Sequence, residues 1–251
     1  MRAIGILQDK LSESLGFMHS KRLTALWRVV HALLSAQELW LTELGRNLPG
    51  KCSIKHRVKA VDRFVGNAAI QAARLRIYAV LARFLLRAIK RPIILVDWTG
   101  AEPGFYVLSA KVAFEGRALT ILSRAYPAKK KATPAAERAF LAELKAVVPS
   151  HCHPVLVTDA GFLFKWFDSV RAIGWDYVGR ARLKKMLVTI DGRVGTLREA
   201  YKLAQQKPRD LGTVSLGKGN PRLHRAVLSA RPKRKGRKCL NRKGRHRKSA
   251  V

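Results

Sequence analysis

Two aspartates that each follow an apolar run are the residues best placed to do chemistry. Asp97 follows the run in RPIILVDWTG (residues 91–100), and Asp159 follows the run in PVLVTDAG (residues 154–161). Each run predicts a buried strand that is covered on both faces and closed by its aspartate. Ligands of open α/β sheets bind at the carboxyl ends of the strands. If the two strands are parallel neighbours, both carboxylates face one crevice.

A divalent metal site is the chemistry that such a pair of acids suits. Two close carboxylates repel each other unless a cation lies between them. Mg²⁺ or Mn²⁺ takes oxygen ligands, and the bound ion can polarise a phosphodiester and activate a water or a 3′-hydroxyl. Either aspartate alone could be an ordinary cap or turn residue after a strand. Two acids at matching positions, among only 16 Asp and Glu residues, favour the metal site.

Two other interpretations of these motifs fit the sequence less well. The stretch DWTG faintly resembles the first motif of haloacid-dehalogenase-type phosphatases, but that motif needs a second aspartate where Thr99 stands. His151 and His153 have the spacing of one zinc-ligand pair, but no second pair accompanies them. A loop before a strand accounts better for the two histidines.

The charge of the chain predicts a polyanionic partner. Its 251 residues include 50 Lys and Arg against 16 Asp and Glu, a net charge of +34. Double-stranded DNA is the partner we expect, because a surplus of this size is typical of nucleic-acid-binding proteins. A basic protein that only coats RNA or DNA is the alternative, although such a protein has no need of the two strand-end acids. An anionic membrane surface fits less well, because no long basic amphipathic helix is present.

The cellular location expected from the sequence is the bacterial cytoplasm, at the nucleoid. No apolar run is long enough for a transmembrane helix, and MRAIGILQDK at the start is not a secretory signal. Cys52, Cys152 and Cys239 form no Cys-x-x-Cys pair, which fits a reducing compartment. We therefore expect a soluble protein without a membrane partner.

Helices are predicted before residue 91, and two of them resemble a helix-turn-helix. The stretch LTELGRNLPG (41–50) predicts a short helix and a turn, and SIKHRVKAVDRFVGN (53–67) predicts a basic helix that would enter a major groove. An ordinary helical bundle with a solvated basic face is the alternative. The residues expected to contact DNA here are Arg46, Lys51, Lys55, Arg57, Lys59 and Arg63.

Apolar spacing also predicts which helical residues are buried. The preceding helix has one apolar face made of Leu23, Leu26, Trp27, Val30, Leu33 and Leu34. In the basic helix, the residues expected to point inward are Ile54, Val58, Val61 and Val65.

From residue 91 the pattern predicts an α/β (α+β) arrangement, a mixed sheet with flanking helices. The elements read β-β-β-α-β-α-β, with a hairpin at FEGR (114–117) and helical crossovers. We expect a helical DNA-binding region at 1–90, a core at 91–182, a β-rich segment at 183–230 and a basic, disordered tail at 231–251. Residues of the tail expected to contact DNA include Arg234, Lys235, Arg237 and Lys238.

Five sequence blocks together resemble one family. The blocks are LTELGRNLPGK, KHRVKAVDRFVGN, ILVDWT, TDAGF and GWDYVGRARLK, in this order and at the family's spacing. They resemble the bacterial cut-and-paste DDE transposases of the IS-four group, Tn-ten type. The resemblance covers about residues 8–240.

The resemblance implies a fold, a reaction and partners. It implies an RNase H-like core, a helical N-terminal region that helps to bind transposon ends, and a β-rich insertion after the fifth core strand. Asp97 and Asp159 match the first two acids of the catalytic triad, which hold Mg²⁺ or Mn²⁺. The implied enzyme is a homodimer that cleaves transposon ends and joins them to target DNA, with no small-molecule substrate. Further basic residues expected on DNA are Arg180, Arg182, Lys184 and Lys185.

One departure from the family concerns the third acid. The family places a glutamate in the pattern Tyr, two residues, Arg, three residues, Glu, six residues, Lys, and this pattern does not occur here. The last glutamate is Glu199, with Arg198 before it and Tyr201 after it, in the wrong order. The sequence therefore predicts a form truncated before the third catalytic acid. The alternative function is a non-catalytic DNA-binding fragment that occupies ends or inhibits the intact enzyme.

Overall fold

The computed structural model describes residues 2–181, 187–217 and 222–230. The chain divides into two compact units, Met1–Arg180 and Ala181–Val251. Within the described ranges, no helix is both long and apolar enough to cross a membrane. The finer boundaries expected at residues 90, 182 and 230 stay predictions.

Five helices open the first unit, as the sequence predicts for most of this region. They are α1 (Arg2–Leu11), α2 (Ser20–Ser35), α3 (Leu41–Asn47), α4 (Ile54–Val65) and α5 (Ala68–Leu86). One small core joins α1, α2 and α5 around Leu11, Trp27 and Val80, and a second joins α2, α3 and α4 around Ala32, Leu44 and Val61. The predicted order of short helix, turn and basic helix is confirmed.

Gly45 lets α3 and α4 pack closely. A Cβ atom at position 45 would lie 2.4 Å from Val58 Cγ2 and 2.7 Å from Val58 Cα. No side chain fits at such distances, because the nearest atoms include the backbone of the facing helix. Glycine at this position therefore sets how closely the two helices of the predicted helix-turn-helix approach.

The predicted apolar faces of α2 and α4 are wrong at their ends. Leu33 and Leu34 are 42% and 64% exposed, although Trp27 on the same helix is buried. In α4, Val61 is fully buried, whereas Ile54 and Val65 are 52% and 53% exposed. In α2 the covered face runs through Val29, Ala32 and Ala36, so Leu33 and Leu34 lie beside that face. Apolar spacing alone therefore does not identify which face is covered.

The centre of the first unit is a five-stranded mixed sheet with helices packed on it. Its strands are β1 (Ile93–Gly100), β2 (Phe105–Phe114), β3 (Arg117–Pro127), β4 (Val155–Thr158) and β5 (Asp176–Gly179), in the order β3-β2-β1-β4-β5. Strand β1 is antiparallel to β2 and parallel to β4, and β4 is parallel to β5. This confirms the α/β class and is consistent with an RNase H-like fold.

Local sequence explains how the strands are connected. Glu115 and Gly116 both have positive φ, 43° and 74°, which gives the tight β2–β3 turn predicted at FEGR. A 3-10 turn (Ala128–Lys130) then leads to α6 (Pro134–Val147), where the Thr133 hydroxyl accepts from the Ala136 N–H and Pro134 occupies the first turn. Helix α7 (Phe164–Ala172) connects β4 to β5.

The expectation that β1 is covered on both faces is wrong for the described residues. Ile94 and Val96 are buried in the main core with residues of α5, α6 and α7. Ile93 and Leu95, which point to the opposite face, are 51% and 36% exposed. A continuous apolar run cannot distinguish one buried face from two, because that depends on which elements pack against the sheet.

The second unit is β-rich, as the sequence predicts. Its strands are β6 (Leu187–Ile190), β7 (Arg193–Thr196), β8 (Arg209–Leu216) and β9 (Arg222–Leu228), in the antiparallel order β7-β6-β8-β9. Helix α8 (Leu197–Lys202) begins with a capping box formed by Thr196 and Glu199. This short helix was not predicted.

Candidate active site

The two aspartates follow neighbouring parallel strands at the same register position. The last pair between β1 and β4 is Val96 with Thr158, so Asp97 and Asp159 come next on the two strands. Both aspartates are exposed, whereas Val96 and Thr158 are buried on the other face. Asp97 lies on the exposed side of β1, and Asp159 is the first residue after β4, so each acid directly follows the last pair between the two strands. The predicted neighbourhood of the two strands is confirmed.

Asp97 does not close its strand, and this corrects the sequence expectation. Strand β1 continues to Gly100, and Asp97 pairs with Ser109 of β2. Only the parallel pairing with β4 ends at Val96. The antiparallel partner β2 therefore supports the backbone on the far side of Asp97, which holds this residue more firmly than a strand end would.

Each carboxylate has one short-range hydrogen bond that orients it. The Thr99 hydroxyl donates to Asp97 Oδ2 over 3.5 Å, and the Gly161 N–H donates to Asp159 Oδ1 over 2.8 Å. A Cβ atom at position 161 would lie 2.9 Å from the same Asp159 oxygen. Gly161 thus allows the turn that follows β4 to fold back onto the carboxylate.

A basic residue continues the row of acids on the next strand. Strand β5 pairs with β4 up to Thr158 and Gly179, so Arg180 takes the register position beside Asp159. Arg180 is exposed, as a residue that contacts DNA must be. Two acids and one basic residue therefore directly follow the paired segments of β1, β4 and β5.

Beneath this row, the opposite face of β1 contacts a buried glutamate. The Trp98 Nε1–H donates to Glu137 Oε1 over 3.4 Å, and Trp98 packs against Tyr126 with ring centroids 5.3 Å apart. Glu137 is only 5% exposed, and burial raises the pKa of its carboxyl group while the Trp98 hydrogen bond opposes that rise. The sequence indicated no role for Glu137, since it lies among apolar positions of an ordinary helix.

Replacing Glu137 with glutamine is expected to stabilise the protein at neutral pH, and this gain is expected to shrink at acidic pH. The folded state holds the Glu137 proton more tightly than the unfolded state, because its pKa is raised. The wild type therefore loses stability as the pH rises from the ordinary carboxyl pKa through the raised pKa of Glu137, whereas the glutamine variant does not. Urea unfolding of both proteins across this range measures the effect.

The pH dependence of the difference between the two proteins is the readout, since the other carboxyl groups titrate equally in both. Glu102→Gln, at an exposed turn, provides the control. A stability difference for Glu137→Gln that stays constant with pH would contradict the raised pKa.

A second acid, Glu143 of α6, links three elements around the core. Arg74 of α5 donates to Glu143 Oε2 over 3.0 Å and to the Ser123 carbonyl over 3.1 Å. Arg124 of β3 pairs with the other oxygen of Glu143 and lies over the Tyr126 ring. This network connects the last helix of the helical region with the sheet, and sequence patterns did not reveal it.

Most of the basic residues expected on DNA in the helical region are exposed. They are Arg46, Lys51, Lys55, Lys59 and Arg63. Lys55, Lys59 and Arg63 recur every four residues and so form one stripe along α4. Arg46 lies 3.7 Å from a Glu43 oxygen and keeps a side chain that is 65% exposed. Their contact with DNA stays a prediction.

Arg57 has a structural contact that the sequence did not predict. It is half-buried, and its Nη1 donates to the carbonyls of Arg46 and Leu48 over 3.0 Å each. These carbonyls belong to the end of α3, where helical partners are lacking. Arg28 holds the same turn by donating twice to the Pro49 carbonyl. Neither interaction could be predicted from spacing, because the acceptors are backbone atoms of another helix or turn.

Arg57→Ala is expected to destabilise the protein by about 1–3 kcal/mol, because two backbone carbonyls lose a charged donor. Urea unfolding measures this change. Lys59→Ala, an exposed residue of the same helix, should change stability by less than about 0.5 kcal/mol. Equal stability of the two variants would show that the Arg57 contacts do not support the turn.

Several expected DNA contacts lie outside the described residues. These are Arg182, Lys184 and Lys185, together with Arg234, Lys235, Arg237 and Lys238 of the basic tail.

The donor set suits a hard divalent cation, although it is small. Asp97 and Asp159 offer carboxylate oxygens, and Mg²⁺ commonly binds proteins through one or two carboxylates with water and substrate phosphate completing its shell. Among residues 2–181, 187–217 and 222–230, no group of three or more His, Cys, Asp or Glu side chains could hold a metal ion. In this part of the chain, two acids rather than three are therefore available to bind such an ion.

A comparison with known protein families matches much of the chain. Residues 89–249, more than half of the chain, match the family model described as "Transposase DDE domain". The matched segment begins just before β1 and includes both aspartates. The comparison with curated proteins finds no match.

Proposed function

The chain belongs to the family of transposases with a DDE domain, and on this premise we propose that it binds the ends of a transposable element and cleaves DNA there with Mg²⁺ or Mn²⁺. Transposases act on DNA, and enzymes with this domain generally use divalent metal ions. The proposal extends to cut-and-paste transposition of the IS-four group type by a homodimer, on chromosomal DNA in the cytoplasm. Five sequence blocks support this finer assignment.

The observation that carries the proposal is that Asp97 and Asp159 are both exposed and each directly follow the last pair between the parallel strands β1 and β4. In our proposal the two carboxylates hold the divalent ion. A bound Mg²⁺ would polarise the scissile phosphodiester and help to activate a water or a 3′-hydroxyl. The exposure of both aspartates and of Leu95 beside Asp97 would give a DNA backbone access to this edge of the sheet.

The residues around the acids have positioning roles in this proposal. Thr99 and Gly161 orient the two carboxylates through their hydrogen bonds. Arg180 lies next in the row and would balance the negative charge of a phosphate near Asp159. Trp98, held by Glu137 and Tyr126, fixes the strand immediately beside Asp97.

DNA binding is proposed for the exposed stripe Lys55, Lys59 and Arg63 on α4. The helix follows α3 after a turn, and Gly45 keeps the two helices close. This arrangement supports docking of α4 in a major groove, with Arg46 and Lys51 near the phosphates. Arg57 supports the turn from inside the helix pair.

A second function is favoured by one observation, the absence of a third metal-ligating side chain near the two acids in the described part of the chain. A chain with only two acids could bind element ends without cutting them. It would then block the ends or form inactive complexes with an intact enzyme. The two functions share the DNA-binding surface and differ only in catalysis.

Nicking of bound DNA separates the two functions. Selection from a random duplex pool identifies the sequences that the chain binds, and a labelled duplex carrying them is incubated with Mg²⁺, Mn²⁺, Ca²⁺ or a chelator. Nicks that form with Mg²⁺ or Mn²⁺ alone support the transposase. Binding without nicks under every condition supports the non-catalytic function, and a chain that selects no duplex contradicts both.

A further inference from the structure

A small cavity in the helical region is lined by two arginines. It lies between the connection from α1 to α2 and the first half of α5, and its volume is about 240 Å³. Arg22 of α2 and Arg76 of α5 are its charged residues, and both are exposed. The rest of the lining is apolar and includes Phe17, Ala72 and Ala73. The small alanine side chains leave room beside the two guanidinium groups.

Arg76 is positioned by a contact that leaves its hydrogen-bond donors unused. Its guanidinium carbon lies over the Phe17 ring, 3.8 Å from the ring centroid. The ring face attracts the cation, but it does not occupy the N–H groups at the edge of the guanidinium plane. In the described part of the chain, neither Arg76 nor Arg22 donates a side-chain hydrogen bond or forms an ion pair. Both arginines can therefore donate to a ligand.

Two positive charges in one cavity repel each other unless an anion lies between them. None of the described residues that line the cavity is acidic. Asp9 and Glu13 are close along the chain, yet within the described ranges neither forms an ion pair with Arg22 or Arg76. The chain itself therefore does not balance the two charges, and a bound anion would do so.

The size of the cavity and the number of its donors indicate which anion fits. Pockets for drug-sized ligands measure about 300–1,000 Å³, so a cavity of about 240 Å³ suits one small group rather than a whole nucleotide. One guanidinium fork already occupies both oxygens of a carboxylate, whereas a phosphate has oxygens for two forks. We propose that Arg22 and Arg76 form a binding site for one phosphate group.

This site goes beyond the proposed function. It includes no residue of α4, where DNA contacts are proposed, and neither of the two aspartates. Two sources offer the same chemical group, free inorganic phosphate and the phosphodiester backbone of DNA. The experiment below distinguishes them, and its result does not depend on nicking.

NMR titration of the full-length, nitrogen-15-labelled chain with inorganic phosphate tests the proposal, with NaCl of equal ionic strength as the blank. The side-chain Nε–H signals of Arg22 and Arg76 should shift and saturate together. The double variant Arg22→Gln, Arg76→Gln should bind phosphate about tenfold or more weakly, since each arginine supplies charge-assisted hydrogen bonds. Arg138→Gln, Arg171→Gln is the matched control, because it removes the same charge from exposed positions of α6 and α7.

A single variant separates the loss of binding from a loss of folding. Arg22→Gln leaves the contact between Arg76 and Phe17 intact, so its thermal unfolding midpoint in NaCl should match the wild type. Phosphate should raise the midpoint of the wild type and of the control, because a ligand of the folded state stabilises that state. It should raise the midpoint of Arg22→Gln clearly less.

A DNA duplex in phosphate-free buffer identifies the source of the phosphate. Shifts of both Nε–H signals with inorganic phosphate assign the site to the free anion. If only the duplex shifts them, and the double variant makes the slope of log affinity against log salt concentration shallower by about 2, the site takes backbone phosphate.

Two results would overturn the proposal. Neither ligand could shift the two Nε–H signals, or the control could lose as much phosphate affinity as the double variant, which would mean that only net charge matters. A chain that binds inorganic phosphate in this cavity but selects no duplex would refute the proposed function and leave the phosphate site supported.

Discussion

Asp97→Asn and Asp159→Asn are each expected to lower metal-dependent nicking of DNA about 10³-fold or more, while DNA affinity stays within a few-fold of the wild type. Removing one member of a site whose groups act together usually costs orders of magnitude in rate. Binding is retained because the proposed DNA contacts are basic side chains such as Arg46 and Lys59, and neither aspartate is among them. Single-turnover nicking of a bound duplex measures the rate, and a filter or gel assay measures the affinity.

A control variant and a change of metal ion test whether the loss of nicking is specific to metal binding. Asp191→Asn is the matched control, since Asp191 is exposed in a turn with a φ of 50°, which asparagine tolerates. In Asp97→Cys the thiolate should restore some nicking with Mn²⁺ but not with Mg²⁺, because softer ligands prefer softer metals. If Asp97→Asn nicks as fast as the wild type, Asp97 is not a metal ligand.

DNA affinity is expected to fall steeply with salt, by about 10³–10⁵ between about 50 and 200 mM if six to ten phosphates are contacted. Each basic side chain that contacts a phosphate releases bound counterions, so the logarithm of affinity falls linearly with the logarithm of salt concentration. Titration of a fluorescent duplex at several salt concentrations gives the slope. A flat salt dependence would contradict nucleic acid as the partner of this +34 chain.

Single substitutions show which residues produce that slope. Lys59→Ala on the α4 stripe should make the slope of log affinity against log salt concentration shallower by about 1, the value for one phosphate contact. Lys145→Ala, an exposed lysine of α6, is the matched control and should leave the slope unchanged. Deleting residues 231–251 should weaken binding to all duplexes by a similar factor, since contacts to phosphates carry no sequence information. A loss confined to the preferred duplex would assign base contacts to that segment.

Local sequence was sufficient to predict most elements of the first unit. The tight turn at FEGR has positive φ at both central residues, and Gly116 is the residue type that adopts such a φ without strain. Thr133 and Pro134 mark the start of α6 through capping and a preset φ. These features depend on neighbours in sequence, which is why the order of strands and helices could be read before the fold was known.

Burial and contact partners were less predictable, because they depend on residues distant in sequence. The spacing of α2 predicted that Leu34 is buried, whereas α3 and α4 cover the face that carries Val29 and Ala32. Arg57 belongs to a basic stretch, but its guanidinium group binds carbonyls at the end of α3. Glu137 has no distinguishing pattern, and its raised pKa arises from burial beneath Trp98.

The sequence by itself determined the types and order of most elements, the strong positive charge, and the position of one acid after each of two apolar runs. Those properties depend on residue chemistry and on spacing along the chain. The tertiary structure decided that β1 and β4 are parallel neighbours, that Asp97 and Asp159 each follow the last pair between these strands, and that β1 continues past Asp97. Strand pairing joins residues far apart in sequence, and no local pattern specifies which strand pairs with which or which face the helices cover.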